Sequence, residues 1–412
     1  MVLLVRYSLK CIQEVTSNAQ IVRQFKGGTT RLLNQIKAQV MDTLYVQVTT
    51  GAQRMINIAS PRIGFYEWLA VSKVLFSGSL AQGSEVAKFE NEFSRNVNGF
   101  KCIAVNSGTS GLHLSLLAAG IGPGDEVIVP SFSFAATANS VALTGATPVF
   151  ADIELETFNI DPASIRQKIT KKTRGIQVVH LFGLPANMGE IKKIAEEKNL
   201  LIFEDAAQAH LAKFKGQAVG TFGIAATFSF YPTKNMTSGE GGMIVTNSDA
   251  IEESCRLLRN QGMKKRYENE IIGFNNRMTD IHGSIGRVQL KRLISATEKR
   301  RKNAEFLSRN LEGVITPIEP DGYMHVYHQY TIRIPNIDRD SFTLELRKRG
   351  IETGVYYPTP IHQLPSFREQ VDLPRTELAS REVVSLPIHP SLSKRDLMLI
   401  VDTVNRLVQA AT

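Results

Sequence analysis

The chain has 412 residues, of which 43% are hydrophobic and 21% charged, a composition typical of a soluble globular protein with a substantial core. No apolar run approaches the roughly 20 residues that a membrane span requires, so we expect no membrane segment. Residues 1–54 hold seven basic and two acidic side chains and thus supply five of the nine net positive charges. The remainder is only mildly basic, which argues against nucleic acid as a partner.

The cysteines indicate a cellular compartment. Cys11, Cys102 and Cys255 are scattered along the chain and match neither a metal-ligand spacing nor a disulfide framework. We therefore expect a cytoplasmic protein that binds no metal.

Residues 1–54 form a basic N-terminal extension with a weak hydrophobic pattern, and Gly27-Gly28 interrupts any long helix. Three interpretations are open: an organellar transit peptide, a partly disordered arm, or upstream sequence included by an incorrect start codon. We favour the third, because the segment that begins at Met55 has a clear pattern from its first residue.

From Met55 onward, apolar β-branched segments alternate with segments of helical spacing. The predicted strands are Cys102–Val105, Glu126–Val129, Pro148–Ala151, Gly175–Leu181, Leu200–Phe203, Ala226–Tyr231 and Gly242–Thr246. The predicted helices are Phe65–Leu75, Glu85–Val97, Gly111–Ala119, Ala136–Leu143, Met188–Glu197, Glu252–Gln261, Arg277–Leu293 and Glu298–Leu311. This alternation indicates an α/β fold, with a mostly parallel seven-stranded sheet covered by helices, over a large domain of residues 55–312.

Residues 313–412 predict a smaller α+β domain. Its expected elements are a strand at His325–Ile334, a helix at Asp338–Arg349 capped by Asp338 or Asp340, a short strand at Val355–Pro358 and a final helix at Leu397–Ala411.

A phosphate site is predicted where the strand Cys102–Val105 runs into Asn106–Ser110 and a helix begins. Free backbone N–H groups, hydroxyls and the positive end of the helix dipole converge there, and Gly108 allows close approach. The alternative is that Ser107 or Thr109 is only a helix cap. Because the P-loop lysine pattern and the GxGxxG fingerprint are both absent, a monophosphate fits better than a nucleotide triphosphate or a dinucleotide.

Two further strand ends supply reactive groups at the same edge of the sheet. Lys234 follows a strand end beside the hydroxyl of Ser229, which suits a lysine that forms a Schiff base. Asp205 ends the strand that starts at Leu200, and a buried carboxylate requires a cationic partner such as the pyridinium nitrogen of pyridoxal phosphate (PLP). The alternative is a solvated loop lysine and a helix-capping aspartate, and the nearby phosphate site argues against it.

An aromatic residue at the next strand end completes the predicted cofactor site. The segment Pro130–Thr137 leaves the sheet at the same edge. We expect Phe134 to lie against a flat cofactor ring, and Phe132 to be a core residue.

With these motifs in this order, the chain resembles the DegT/DnrJ/EryC1/StrS aminotransferases, which are PLP-dependent nucleotide-sugar aminotransferases of fold type I. The resemblance runs from about Met55 to the C-terminus. It includes the segments Gly122–Pro130, Glu204–His210 and Gly273–Met278.

The resemblance implies a role for each site residue. Lys234 would form the Schiff base and shuttle a proton, and Asp205 would hold the pyridine nitrogen protonated. Gln208 would bond the phenolic oxygen of the cofactor, and Phe134 would stack on its ring. The expected phosphate ligands are Gly108, Thr109 and Ser229, joined by Asn275 from the neighbouring subunit of a homodimer.

The implied activity is transfer of an amino group from glutamate to a keto group of a nucleotide-linked deoxysugar, for polysaccharide, glycan or antibiotic sugar biosynthesis. Relatives that remove a sugar hydroxyl carry histidine at the position of Lys234, so lysine favours transamination. Two alternatives stay open: a PLP-dependent sugar dehydratase, and a PLP-binding regulator without turnover.

The sequence departs from the family pattern at three positions. Leu211 and Gly111 stand where glycine and alanine are usual, and Asn276 stands where tyrosine is common. Tyr357, Pro358 and His362 lie in a loop that could meet substrate.

The histidines suggest structural roles more than metal binding. We expect His180 and His210 to be hydrogen-bonded structural residues; the alternative is that they line the edge of the active site. His325 and His328 would point to opposite faces of one strand, which makes them a poor metal pair.

Overall fold

The computed structural model describes residues 55–411, so the predictions for the extension 1–54 lie outside the described residues. The strands are β1 Lys101–Val105, β2 Glu126–Pro130, β3 Thr147–Ala151, β4 Thr173–Val179, β5 Leu201–Asp205, β6 Lys213–Phe214, β7 Gln217–Ala218, β8 Ala225–Ser229, β9 Gly242–Thr246, β10 Met263–Lys265, β11 Glu268–Asn269, β12 Tyr323–Met324, β13 Tyr330–Arg333 and β14 Val383–Leu386. The helices are α1 Phe65–Ser77, α2 Ser84–Ser94, α3 Gly108–Ala118, α4 Ala136–Ala142, α5 Pro162–Lys168, α6 Met188–Lys198, α7 Asp249–Arg259, α8 Asp280–Leu290, α9 Leu293–Asn310, α10 Arg339–Lys348, α11 Pro374–Glu382 and α12 Lys394–Ala411.

Seven of these strands form the central sheet, in the order β1-β9-β8-β5-β4-β2-β3. Strand β9 is antiparallel to both of its neighbours, and the other adjacent pairs are parallel. The predicted mostly parallel α/β sheet is therefore confirmed, and all seven predicted strands overlap an observed one.

Alternation along the strands builds a hydrophobic layer on each face of this sheet. In β9, Met243 and Val245 join one core cluster while Ile244 joins another. In the first cluster, Phe93 of α2 packs against Phe228 of β8, with ring centroids 5.2 Å apart. Covering both faces in this way leaves the strand ends as the open edge where a site can form.

The departure at Gly111 has a local explanation in the packing of α3 on the sheet. A Cβ atom at Gly111 would lie 2.6 Å from Cγ2 of Thr227 in β8. Glycine therefore lets α3 approach β8 more closely than alanine would.

The C-terminal part has a hydrophobic cluster of its own, which joins Ile56 to residues of α9, α10, α12, β13 and β14. Strands β13 and β14 pair antiparallel. Asp338 caps α10 by accepting a hydrogen bond from the Ser341 amide at 2.9 Å, as predicted. The domain boundary predicted at residue 312 stays a prediction. Helix α9 ends before that residue, yet its Ala304 and Leu307 belong to the C-terminal cluster.

Two predictions for the C-terminal part were wrong. Only Tyr330–Arg333 of the predicted strand His325–Ile334 is a strand. The amides of Val326 and Gln329 instead donate to the carbonyls of Gly183 and Phe182, which turns the segment towards the end of β4. Residues 355–358 form no strand; the neighbouring Gly354 makes a single bridge to Ser385.

Within residues 55–411 we find no helix that combines the length and apolar character needed to cross a membrane.

Candidate active site

The carboxyl edge of the sheet brings most of the predicted site residues together. Asp205 and Ser229 end the paired strands β5 and β8, and Lys234 lies on the turn after β8. Gly108 starts α3 beside this turn, so close that a Cβ atom on it would lie 3.0 Å from the Ser229 Cβ.

Asp205 is a buried carboxylate with few donors. It is 6% exposed. Oδ2 accepts from the Thr137 hydroxyl at 2.9 Å, and Oδ1 accepts from the Ala207 amide at 3.2 Å. Burial raises the pKa of Asp205 above its usual value, although these two donors and the charge of Lys234 oppose the change. The carboxylate is therefore set to accept a further cationic donor.

Lys234 is the opposite charge in this pocket. The residue keeps some accessible surface, yet desolvation of its amine lowers the pKa to about 8, while the charge of Asp205 acts in the other direction. Near neutral pH an appreciable fraction of the amine is thus unprotonated, which is the form that forms a Schiff base or takes up a proton.

The start of α3 has the geometry of an anion site. Ser107 caps the helix by accepting from the Ser110 amide at 3.1 Å. The amides of Gly108 and Thr109 belong to the first turn, where N–H groups have no intrahelical acceptor. Strand β9 closes on this turn because Gly242 has no side chain; a Cβ there would lie 2.5 Å from the Ser107 carbonyl oxygen. The site can therefore hold one phosphate group by backbone donors.

Gln208 and an aromatic pair form the far side of the pocket. Gln208 Oε1 accepts from the Phe182 amide at 2.7 Å, and its Nε2 donates to the Tyr357 hydroxyl at 3.1 Å. Phe134 is 60% exposed, with its ring 6.2 Å from that of Tyr357, whereas Phe132 is fully buried in the core as predicted. An exposed aromatic face at the pocket rim suits a flat ligand ring.

Thr137 is a site residue that the sequence analysis did not single out. Its hydroxyl donates to Asp205 and accepts from the Ser133 hydroxyl at 2.9 Å. Gln177 Nε2 donates to the Thr137 carbonyl at 2.8 Å and so fixes the start of α4. The only sequence signal was its position in the polar segment that follows β2.

Two of the histidines in the predictions follow strand ends: His180 follows β4, and His210 lies after β5. His180 is a hydrogen-bonded structural residue, as predicted: Nδ1 accepts from the Ala186 amide at 3.0 Å, and Nε2 donates to Glu204 at 3.0 Å. His210 is likewise buried, and its contact with the backbone of Ser229 favours the protonated ring, so its structural role stays a prediction. Its ring packs between Phe228 and Phe230, and burial lowers its pKa to about 3.

Two of the other predicted residues differ in exposure. His362 is buried, with Nδ1 2.7 Å from the Ser131 hydroxyl, which is a structural position and not one that faces substrate. Asn275 is exposed, its backbone bridges to Asn260, and the carbonyl of the next residue accepts from the Asn106 amide at 2.9 Å.

The residues present fit PLP. A primary amine of lowered pKa, a buried carboxylate short of donors and a helix N-terminus match the aldehyde, the pyridine nitrogen and the phosphate of that cofactor. Together with the α/β fold, this pocket defines a PLP-dependent transaminase of fold type I. The chain belongs to the DegT/DnrJ/EryC1/StrS aminotransferase family, whose model matches residues 62–405.

Relatives and solved structures match this chain over most of its length. A "pleiotropic regulatory protein" of Geobacillus stearothermophilus is 43% identical over 81% of this chain and 92% of its own length. The dTDP-3-amino-3,4,6-trideoxy-alpha-D-glucose transaminase of Streptomyces venezuelae is 38% identical over 81% and 90% of the two chains. The crystal structure of S. venezuelae DesV with a ketimine intermediate superposes with a TM-score of 0.80 at 37% identity, covering 85% of this chain and 99% of that one.

Proposed function

We propose that the protein transfers an amino group from glutamate to a keto group of a nucleotide-linked deoxysugar. The support for a sugar acceptor comes from relatives such as the S. venezuelae transaminase, which is named for a dTDP-linked amino sugar. The support for transfer over dehydration is Lys234, since relatives that dehydrate sugars carry histidine at that position.

The observation that carries the proposal is that Lys234 and Asp205 are both desolvated and interact electrostatically at the carboxyl edge of the sheet. Bound PLP supplies an electron sink for the electrons of a broken C–H bond. Asp205 keeps the pyridine nitrogen protonated, because opposite charges in a pocket of low polarity favour the charged ring. Lys234 takes up and returns the proton, for which an amine of pKa about 8 is suited near neutral pH.

The remaining residues bind and orient the cofactor. Gly108, Thr109 and Ser229 would hold its phosphate at the start of α3, Gln208 would bond its phenolic oxygen, and Phe134 would lie against its ring. Gln208 Nε2, which now donates to Tyr357, would be the donor to the cofactor.

We further propose that two copies of the chain complete each site. Asn275 is exposed on the segment after the β10-β11 hairpin, and Ile272 beside it is 91% exposed. A second subunit would cover this segment and receive Asn275 at its phosphate site. Such a homodimer would be cytoplasmic, where the free thiols of Cys102 and Cys255 stay reduced.

The test is amine formation on a panel of nucleotide-linked keto sugars. With PLP added, the protein should show a visible absorption band that glutamate bleaches, and one or more sugars should become aminated. Lys234→Ala should lose turnover by orders of magnitude, whereas Lys213→Ala, which changes an exposed lysine of β6, should leave turnover as in the parent protein.

The two alternatives predict different products. A dehydratase would release water and form no aminated sugar. A regulator would bind PLP and turn over none of the panel, and either result would overturn the proposal.

A further inference from the structure

A cavity of about 270 Å³ is lined by Lys234 and its neighbours on the turn after β8. Residues of α9 and the segment Ser60–Arg62 also line it. No residue lining the cavity is acidic, whereas Arg62, Lys234, Arg292 and Arg300 are basic. Of these, Arg292 has a carboxylate partner, Glu67, at 2.9 Å.

Arg300 is the unusual member of this set. It is 6% exposed, and it forms no ion pair with any residue in the range 55–411. Nη1 lies 3.3 Å from the Tyr327 carbonyl and 3.5 Å from the His328 carbonyl, and Nε has no hydrogen-bond partner among the described residues. Burial lowers its pKa to about 10, which still leaves the guanidinium charged at neutral pH.

A buried cation without a counter-charge is costly, so it indicates a missing anion. A purely structural role, in which Arg300 ties the 327–328 backbone to α9, explains the bonds of Nη1. It does not explain why a charged group faces a cavity that has basic walls and no acid.

We propose that Arg300 and this cavity bind the remote carboxylate of the amino donor while its amino group reacts beside Lys234. This inference rests on the proposed aminotransferase function and adds a donor subsite to it. The shared chemistry is that of an oxyanion, which either the donor carboxylate or a phosphate of the nucleotide sugar could provide. The volume favours the carboxylate, because 270 Å³ is below the roughly 300–1,000 Å³ of pockets that hold drug-sized ligands.

The test is binding of glutarate, a dicarboxylate without an amine, to the PLP-loaded protein by calorimetry. Arg300→Met should weaken glutarate binding about 10- to 100-fold, the range expected for loss of one charge-assisted hydrogen-bonded contact. The rate constant for bleaching by glutamate should fall by a similar factor, while that for alanine, which has no remote carboxylate, should stay within about threefold. Arg309→Met is the matched control, since Arg309 is on the same helix but exposed and paired with Glu305.

A second variant guards against misfolding of Arg300→Met. Ala296 lines the cavity one helical turn before Arg300, so Ala296→Glu places a carboxylate at i,i+4, where it supports the helix and occupies the guanidinium. Ala296→Glu should weaken glutarate binding as Arg300→Met does, while the melting temperature stays that of the parent protein.

The outcomes separate the inference from the function on which it rests. The donor subsite would be overturned if both variants bound glutarate as tightly as the parent does. It would also be overturned if the variants lost only the binding of inorganic pyrophosphate, the probe for a phosphate ligand. Either result would leave transamination intact. Failure of glutamate to bleach the parent protein at all would instead overturn the proposed function.

Discussion

Glu204 and Asp205 are consecutive buried carboxylates at the end of β5, and they point to opposite faces of the sheet. Glu204 accepts four hydrogen bonds: from the amides of Gly220, Phe222 and Gly223 at 2.7 to 2.9 Å, and from His180 at 3.0 Å. Asp205 accepts two, from Thr137 and Ala207.

The difference shows how to tell a structural carboxylate from a functional one. The carboxylate of Glu204 is surrounded by donors that the fold itself supplies, and it ties the 220–223 turn to β5. Asp205 is buried with only part of its accepting capacity used, and burial raises its pKa. An incompletely solvated charge destabilises the protein alone but gives a cationic ligand a strong partner.

Of the substitutions that test this comparison, Asp205→Asn should have the largest effect on turnover. Turnover should fall about a thousandfold or more, roughly 4 kcal/mol of transition-state stabilisation, because the cofactor nitrogen loses its counter-charge. The cofactor-free variant should nevertheless melt at a higher temperature than the parent at pH 8.

The sign of this stability effect follows from linkage. A carboxyl whose folded pKa is raised binds protons more tightly when folded, so its contribution to stability declines as pH rises from 3.8 through the folded pKa. The advantage of Asn should therefore shrink as the pH is lowered towards 4. A variant that is less stable than the parent at pH 8 would show that Asp205 is not a strained charge.

Glu204→Gln should give the reverse pattern. The amide nitrogen of glutamine would face backbone N–H donors, so we expect the free energy of unfolding to fall by about 2 to 4 kcal/mol. Activity of the folded fraction at 15 °C should stay within about threefold of the parent. Denaturant titration and steady-state rates measure the two effects, and a large loss of activity without a loss of stability would break the comparison.

Thr137→Val should have an intermediate effect, about a tenfold loss of turnover with little change in stability. Without the Thr137 hydroxyl, the pKa of Asp205 should rise further, since that donor lowers it. The decline of activity at the acid limb of the pH profile should therefore begin at a higher pH. Thr137→Ser keeps the hydroxyl and should restore both properties; if it does not, Thr137 acts by packing alone.

Those parts of the fold and site whose signal is local could be predicted from the sequence. The seven central strands are continuous apolar runs because both faces of the sheet are buried, and Asp205 and Lys234 each follow such a run. The strand predicted at His325–Ile334 looked similar, but long-range bonds to residues 182 and 183 redirect its first half. Thr137 follows β2, and its contact with Asp205 depends on the sheet order, in which only β4 separates β2 from β5; no local pattern reveals this.

Arg300 shows the same limit on a helix. It lies in the run Lys299-Arg300-Arg301-Lys302, which predicts a charged surface face. Only the packing of α9 separates the buried Arg300 from its exposed neighbours Lys299 and Lys302.

The smallest expected effect concerns Leu211, which lies between β5 and β6 and so follows both carboxylates along the chain. Leu211 has a φ of +68°, in the left-handed region, where the family usually has glycine. Comparing Leu211→Gly with Leu211→Ala isolates the backbone term, since both variants remove the partly buried side chain and only alanine retains Cβ.

Glycine should be more stable than alanine here by about 1 kcal/mol, because the left-handed strain exceeds the extra entropy of an unfolded glycine. At Lys213 in β6, where φ is not in the left-handed region, the same pair should show the opposite order. If alanine is the more stable at both positions, the strain at Leu211 is absent. The departure from glycine would then be neutral for folding.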